Sequence, residues 1–73
     1  MAEYVAAIDQ GTTGTRCMVF DRGGRVVGAH YLEHRQIFPR PGWVEHDPLE
    51  ILANARLVLE AALDAAGVPP RSV

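Results

Sequence analysis

Apolar residues follow three different rhythms along this chain, and each rhythm predicts an element. Tyr4-Val5-Ala6-Ala7-Ile8 is a short unbroken apolar run. A run of that length, rich in small and β-branched residues, predicts a buried strand near residues 4–9. Turn-forming residues then fill Asp9 to Thr15. From Arg16 to Asp21 the side chains divide by alternation: Cys17 and Val19 fall on one face, Met18 and Phe20 on the other. Both faces are apolar, so this strand, over about 15–22, is expected to be covered on both sides. Asp21-Arg22-Gly23-Gly24 predicts a hairpin turn with glycines available for positive φ. A third strand follows over about 25–34. Three successive strands with tight connections predict an antiparallel meander.

The pattern is lost between His34 and Asp47, where Pro39, Pro41 and Gly42 predict an irregular connection. A helix over about 48–66 comes next. Asp47 is its candidate N-cap, Pro48 suits the first helical position, and Glu50 is placed to close a capping box. Leu52, Ala55, Leu59, Ala62, Leu63 and Ala66 recur at helical spacing, with Ile51 and Val58 widening the same face. Gly67 is a natural stop, and Pro69-Pro70 prevent continuation.

Size changes the picture. The chain has 73 residues, too few for two domains. One helix covers only one face of a sheet, yet the second strand calls for cover on both. The expectation is an α/β arrangement in which residues 1–73 form the incomplete front part of a larger domain. A small domain completed by oligomerisation is the alternative. The net charge of −2 and pI near 5.8 argue against a polybasic nucleic-acid or membrane binder. All 7 basic residues are arginine, which excludes a Walker lysine. The single cysteine, Cys17, excludes an intrachain disulfide and points to a reducing compartment. No apolar run approaches the roughly 20 residues of a membrane span. The N-terminus lacks the basic start and apolar core of a signal peptide, so a cytoplasmic location is expected.

Candidate chemistry concentrates between Asp9 and Arg16. A glycine-rich turn between strands can present several N–H groups in one arc, an anion site. Thr12, Thr13 and Thr15 add hydroxyls, Gly11 and Gly14 permit close backbone approach, and Arg16 offers charge-assisted bonds to phosphate. Asp9 would repel phosphates unless a cation lay between them, and Mg²⁺ takes both kinds of oxygen. The residues thus fit a Mg-nucleotide site. They also fit an ordinary hairpin in which Asp9 makes an Asx-turn. Elsewhere the chain reads more plainly. Trp43 pins an irregular loop, His46 packs ahead of the helix, His30 and His34 lack metal-ligand spacing, and Cys17 is a small core residue.

The segment Ala7-Ile8-Asp9-Gln10-Gly11-Thr12-Thr13-Gly14-Thr15-Arg16 resembles the first phosphate loop of the sugar-kinase, actin and heat-shock ATPase superfamily. Its DQGTT wording, together with PGWVEHDP over residues 41–48, is similar to the glycerol kinases of the FGGY carbohydrate-kinase family. Xylulokinases and other members tend to show a looser W-x-E-Q-D-P there. The resemblance runs from Tyr4 to Gly67. It implies a ribonuclease-H-like fold used twice in a longer chain, with ATP between two lobes. It also implies ATP-dependent phosphorylation of glycerol to glycerol 3-phosphate. Carried over, Asp9 associates with Mg²⁺, through water, and Thr12 contacts the nucleotide phosphates and the product. Gly11, Thr13 and Gly14 are then ATP contacts, and Arg16 an ADP contact. Position 14 is often serine in the family, so a hydroxyl contact is lost at Gly14. The family's catalytic aspartate and most glycerol-binding residues have no counterpart in these residues, which implies that the chain alone is inactive. The full-length protein is expected to be a homo-oligomer. Two alternatives stay open: another sugar or polyol kinase of the family, and a non-enzymatic actin-like nucleotide-binding protein.

Overall fold

The structure is a computed structural model that describes residues 3–43 and 45–73. Val44, within the PGWVEHDP motif, lies outside the described residues. Strands β1 (Val5–Gln10), β2 (Gly14–Phe20) and β3 (Val26–Glu33) form an antiparallel sheet in the order β1-β2-β3. Helix α1 (Pro48–Ala66) lies on one face of it. The expected three-stranded meander followed by one helix is therefore the observed architecture. The β2–β3 turn is built by Asp21. Its Oδ1 accepts from the N–H groups of Gly23 (2.9 Å) and Arg25 (3.0 Å), and Gly24 supplies the left-handed φ of 81°. These backbone bonds, led by the one from Arg25, hold the Asp21 carboxyl below its ordinary pKa.

Register assigns every sheet residue to a face. Thr15, Cys17 and Val19 of β2 pair with Leu32, His30 and Gly28 of β3 and with Gln10, Ile8 and Ala6 of β1. This row faces α1. Cys17, Val19, Val58 and Ala62 are fully buried, and Leu63 and Val68 complete the core. Gly28 fixes how closely the layers approach. A Cβ there would lie 2.5 Å from Ala62 O and 2.9 Å from Ala66 N, inside the backbone of α1. The helix thus rests directly on the β3 main chain, and only a residue without a side chain fits beneath it.

Four expectations change. β1 is not buried: it is an edge strand, with Ile8 47% exposed on the helix-bearing face because α1 sits mainly over β2 and β3, and Val5 63% exposed because the register turns it, with Phe20, to the open face. The second face of β2 is not covered by any helix or strand among the described residues, and Met18 and Phe20 are only half-buried. The buried stripe of α1 is Asn54, Val58, Ala62 and Leu63, while Leu52 is exposed. The stripe turns because Asn54 Nδ2 donates to Glu33 O at 3.2 Å, a polar anchor that a count of apolar positions passes over. Finally, Asp47 does cap α1, accepting from Leu49 N at 2.9 Å, but Glu50 does not close the box. Its Oε2 accepts from Arg35 N at 2.7 Å instead, tying the connection to the helix.

The connection has more order than its prolines suggested. β4 (Gln36–Ile37) and β5 (Glu45–His46) form a short antiparallel ladder. It brings His46 against buried His34, with ring centroids 4.3 Å apart. Between them Arg40-Pro41-Gly42-Trp43 closes a turn, with Gly42 at φ 80° and Trp43 N donating to Arg40 O at 3.0 Å. Trp43 is 54% exposed and stacks under Arg40 rather than pinning the loop to the core. At the far end of α1, Gly67 takes φ 68°, and Val68 N donates to Leu63 O at 3.0 Å. Pro70–Ser72 then make a 3-10 turn whose Ser72 O accepts from Glu3 N and Tyr4 N.

Cys17 reports on this layer contact. Burial pushes its thiol pKa up, so it should stay protonated and react with a disulfide reagent only when the helix lifts. Native-state labelling is expected to be slow and to accelerate in Gly28→Ala. Overpacking of ~1–3 kcal/mol would raise the open population by roughly 5- to 160-fold. Equal labelling rates for the two proteins would contradict the close approach at Gly28.

Candidate functional site

The loop joining β1 to β2 is three residues long, Gly11, Thr12 and Thr13. Its ends are clamped by the last pair of the ladder, Gln10 with Thr15, and by Gly11 N donating to Gly14 O at 2.9 Å. Thr13 O accepts from His34 N at 3.2 Å, which fixes the loop against the end of β3. Gln10 Nε2 donates to Gly11 O at 2.7 Å. The N–H groups of Thr12 and Thr13 take no acceptor among the described residues, and both threonines are exposed. They are the outward donors of the loop.

The glycines play unequal parts. The Gly11 N–H is turned inward to Gly14 O, so it is not one of the outward donors. Yet nothing among the described residues demands glycine at 11: there a Cβ would meet only Gly14 O at 3.8 Å, and φ is not positive. Gly14 is the reverse case. It is buried in β2, opposite Glu33, and a Cβ would lie 2.5 Å from Tyr31 Cζ and 2.6 Å from Leu32 O. Glycine at 14 is required by the sheet itself.

Alternation along β2 decides which loop neighbours can meet a ligand. Thr15 points under α1, fully buried, and its Oγ1 has no hydrogen-bond partner among the described residues. It is one residue out of phase with the open face and cannot add its hydroxyl to the loop, contrary to the reading of three threonine donors. Arg16 points the other way. The register places Asp9, Arg16 and Tyr31 in one row across β1, β2 and β3, on the face opposite α1. The Arg16 guanidinium lies over the Tyr31 ring, 5.2 Å from its centroid. Tyr31 Oη is 3.2 Å from Thr13 Oγ1. The Asp9 carboxylate is exposed and makes no hydrogen bond or ion pair among the described residues.

The structure therefore brings Asp9, Gly11, Thr12, Thr13 and Arg16 to one end of the sheet. The arrangement is an exposed carboxylate, two free N–H groups, two hydroxyls and a guanidinium, which suits an anion whose charge is shared with a cation. Among the described residues no group of three or more His, Cys, Asp or Glu could hold a metal ion alone. Any cation at Asp9 would need most of its oxygens from the ligand and from water. Tyr31 is the participant that sequence reasoning missed. Counting back from the Asp21–Arg25 turn puts it opposite Arg16, allowing for the irregularity at Val19/Phe20. A shallow depression lined by Glu3, Tyr4, Asp21, Arg22, Gly23 and Arg25 lies at the opposite end of the sheet. No helix among the described residues is long and apolar enough to cross a membrane.

Comparison with known proteins identifies the same elements elsewhere. Residues 4–73 match the family model described as the N-terminal domain of the FGGY family of carbohydrate kinases. A glycerol kinase from Roseiflexus sp. (strain RS-1) is 62% identical over 68 residues, which cover 93% of this chain and 14% of that protein. One from Saccharopolyspora erythraea is 68% identical over 63 residues, covering 86% and 13%. Among solved structures, Plasmodium falciparum glycerol kinase with ADP superposes with a TM-score of 0.81 at 31% identity, over 88% of this chain and 13% of that one. A xyloylose kinase from Brucella ovis gives 0.80, also at 31% identity and the same coverage. The chain thus spans about one-seventh of the length of the curated relatives it matches.

Proposed function

The chain belongs to the FGGY family of carbohydrate kinases, and we propose that it supplies the first phosphate-binding loop of an enzyme that phosphorylates glycerol. The reaction would move the γ-phosphoryl group of ATP to a terminal hydroxyl, giving ADP and glycerol 3-phosphate. The observation that carries the choice of polyol is the 59–68% identity to proteins named glycerol kinase. The two solved structures do not separate the polyols, since each is 31% identical to this chain. The ADP of the Plasmodium protein supports nucleotide use.

The loop geometry supports a division of labour. Thr12 and Thr13 offer free N–H groups and hydroxyls to phosphate oxygens, and Thr12 would keep hold of the transferred phosphoryl group in the product. Gly11 leaves the approach to the loop open, which gives a reason for a glycine that no contact among the described residues requires. Gly14 contributes main chain only. Arg16 adds positive charge where the nucleotide phosphates would lie. Mg²⁺, bound with the nucleotide, would supply neutralisation of phosphate charge. The Asp9 carboxylate, which has no partner among the described residues, fits a role beside it, through intervening water. In phosphoryl transfer, positioning and charge stabilisation account for most of the catalysis, and those are the properties this loop can provide. We read residues 1–73 as part of a longer catalytic unit, with the catalytic base and most of the glycerol contacts supplied by other segments.

Steady-state kinetics of the full-length protein test the reading. The unsubstituted enzyme should phosphorylate glycerol, and Asp9→Ala should lower kcat on the order of 10²-fold while leaving the KM for glycerol within about twofold. Turnover of a ketopentose but not glycerol would replace glycerol as the substrate. Unchanged kcat in Asp9→Ala would return Asp9 to the role of a turn residue.

A further inference from the structure

Tyr31 touches three residues of the loop region, although it lies far from them in sequence. Its hydroxyl is 3.2 Å from Thr13 Oγ1. Its ring lies under the Arg16 guanidinium, 5.2 Å from centroid to Cζ. Its Cζ fills the place where a Cβ of Gly14 would otherwise sit, 2.5 Å from that position. We infer that Tyr31 is a positioning residue of the nucleotide-phosphate site, setting the Thr13 hydroxyl and the Arg16 guanidinium for an incoming phosphate. The inference rests on the phosphate-loop reading given under Proposed function.

The chemistry follows from what each group can do. A tyrosine hydroxyl can donate to Thr13 Oγ1 and leave the threonine hydrogen free to donate onward to a phosphate oxygen. An exposed arginine without an anchor samples many rotamers, and each is lost when it grips a ligand. The aromatic face beneath Arg16 narrows that ensemble before binding, while the guanidinium N–H groups stay available at its edge. No carboxylate competes for them: among the described residues Arg16 makes no ion pair, even though Asp9 is its register partner. Gly14 completes the device, because any side chain there would expel the Tyr31 ring from beneath Arg16. Tyr31 is 39% exposed, on the face that α1 leaves open, so nothing in the core needs it there.

The test uses the full-length protein and the dissociation constant of Mg·ADP measured by calorimetry, which does not depend on the polyol. Tyr31→Phe removes the hydroxyl and keeps the ring. It should weaken Mg·ADP about 2–10-fold. Tyr31→Leu removes both and should weaken it a further ~2–5-fold. That second step should vanish when the same pair is compared in an Arg16→Ala background, since the ring would then have no cation to hold. The KM for glycerol and the melting temperature should match the unsubstituted protein, which separates positioning from a general loss of structure. If both variants bind Mg·ADP as tightly as the unsubstituted protein, or if the ring step persists without Arg16, the inference is overturned alone. If the unsubstituted protein does not bind Mg·ADP, the phosphate-loop reading falls and the inference with it.

Discussion

The contact between α1 and the main chain at Gly28 governs the rest of the molecule. The helix can lie this close only because β3 has no side chain at that point: a Cβ would meet Ala62 O at 2.5 Å and Ala66 Cβ at 2.8 Å. Seating it there buries Val19 and Cys17 against Val58 and Ala62 and commits one face of the sheet to the core. Burial of such side chains is worth about 1.5–3 kcal/mol for a larger residue such as valine, so the choice of face is not easily reversed. Everything on the opposite face is then left for other purposes.

Period-two alternation carries that choice into the loop. With Cys17 and Val19 turned inward, Thr15 must also point inward, and Gly14 and Arg16 must point outward. The antiparallel register extends the outward row to Asp9 and Tyr31. A slip of one residue in β2 would bury Arg16 and expose Cys17, so the same pairing that builds the core also aims the guanidinium. The chemistry proposed for the loop is in this sense a by-product of where the helix sits. It is sharpened by two local devices: the turn clamped by Gly11 and Gly14, and the tyrosine beneath Arg16.

Much of the fold was legible in the sequence because its signals are local. Asp47, Pro48 and Gly67 mark the ends of α1 through capping chemistry that depends only on near neighbours. The Asp21–Gly24 turn and the strand alternation are equally local. What was not legible depends on partners far away in the chain. Val5 and Ile8 look like core residues, but the register turns Val5 to the open face, and α1 sits mainly over β2 and β3, which leaves Ile8 on the edge strand half-exposed. Leu52 obeys the helical spacing yet lies outside the buried stripe, because Asn54 turns toward Glu33 O. Glu50 was free to choose between the helix end and Arg35, and only the folded connection offers the latter. In the site, Asp9, Thr12, Thr13 and Arg16 could be picked out as residue types in a turn. The inward N–H of Gly11, the phase of Thr15 and the presence of Tyr31 all required the register.

As proposed, the loop between β1 and β2, at the end of a sheet that α1 covers on one face among the described residues, grips the phosphates of a magnesium nucleotide. Hydrogen exchange of the full-length protein with and without Mg·ADP tests it most directly. Exchange should slow in peptides spanning Asp9 to Arg16, where the Thr12 and Thr13 N–H groups have no acceptor among the described residues, and change little along α1. Unaltered exchange in that segment at saturating Mg·ADP would contradict it.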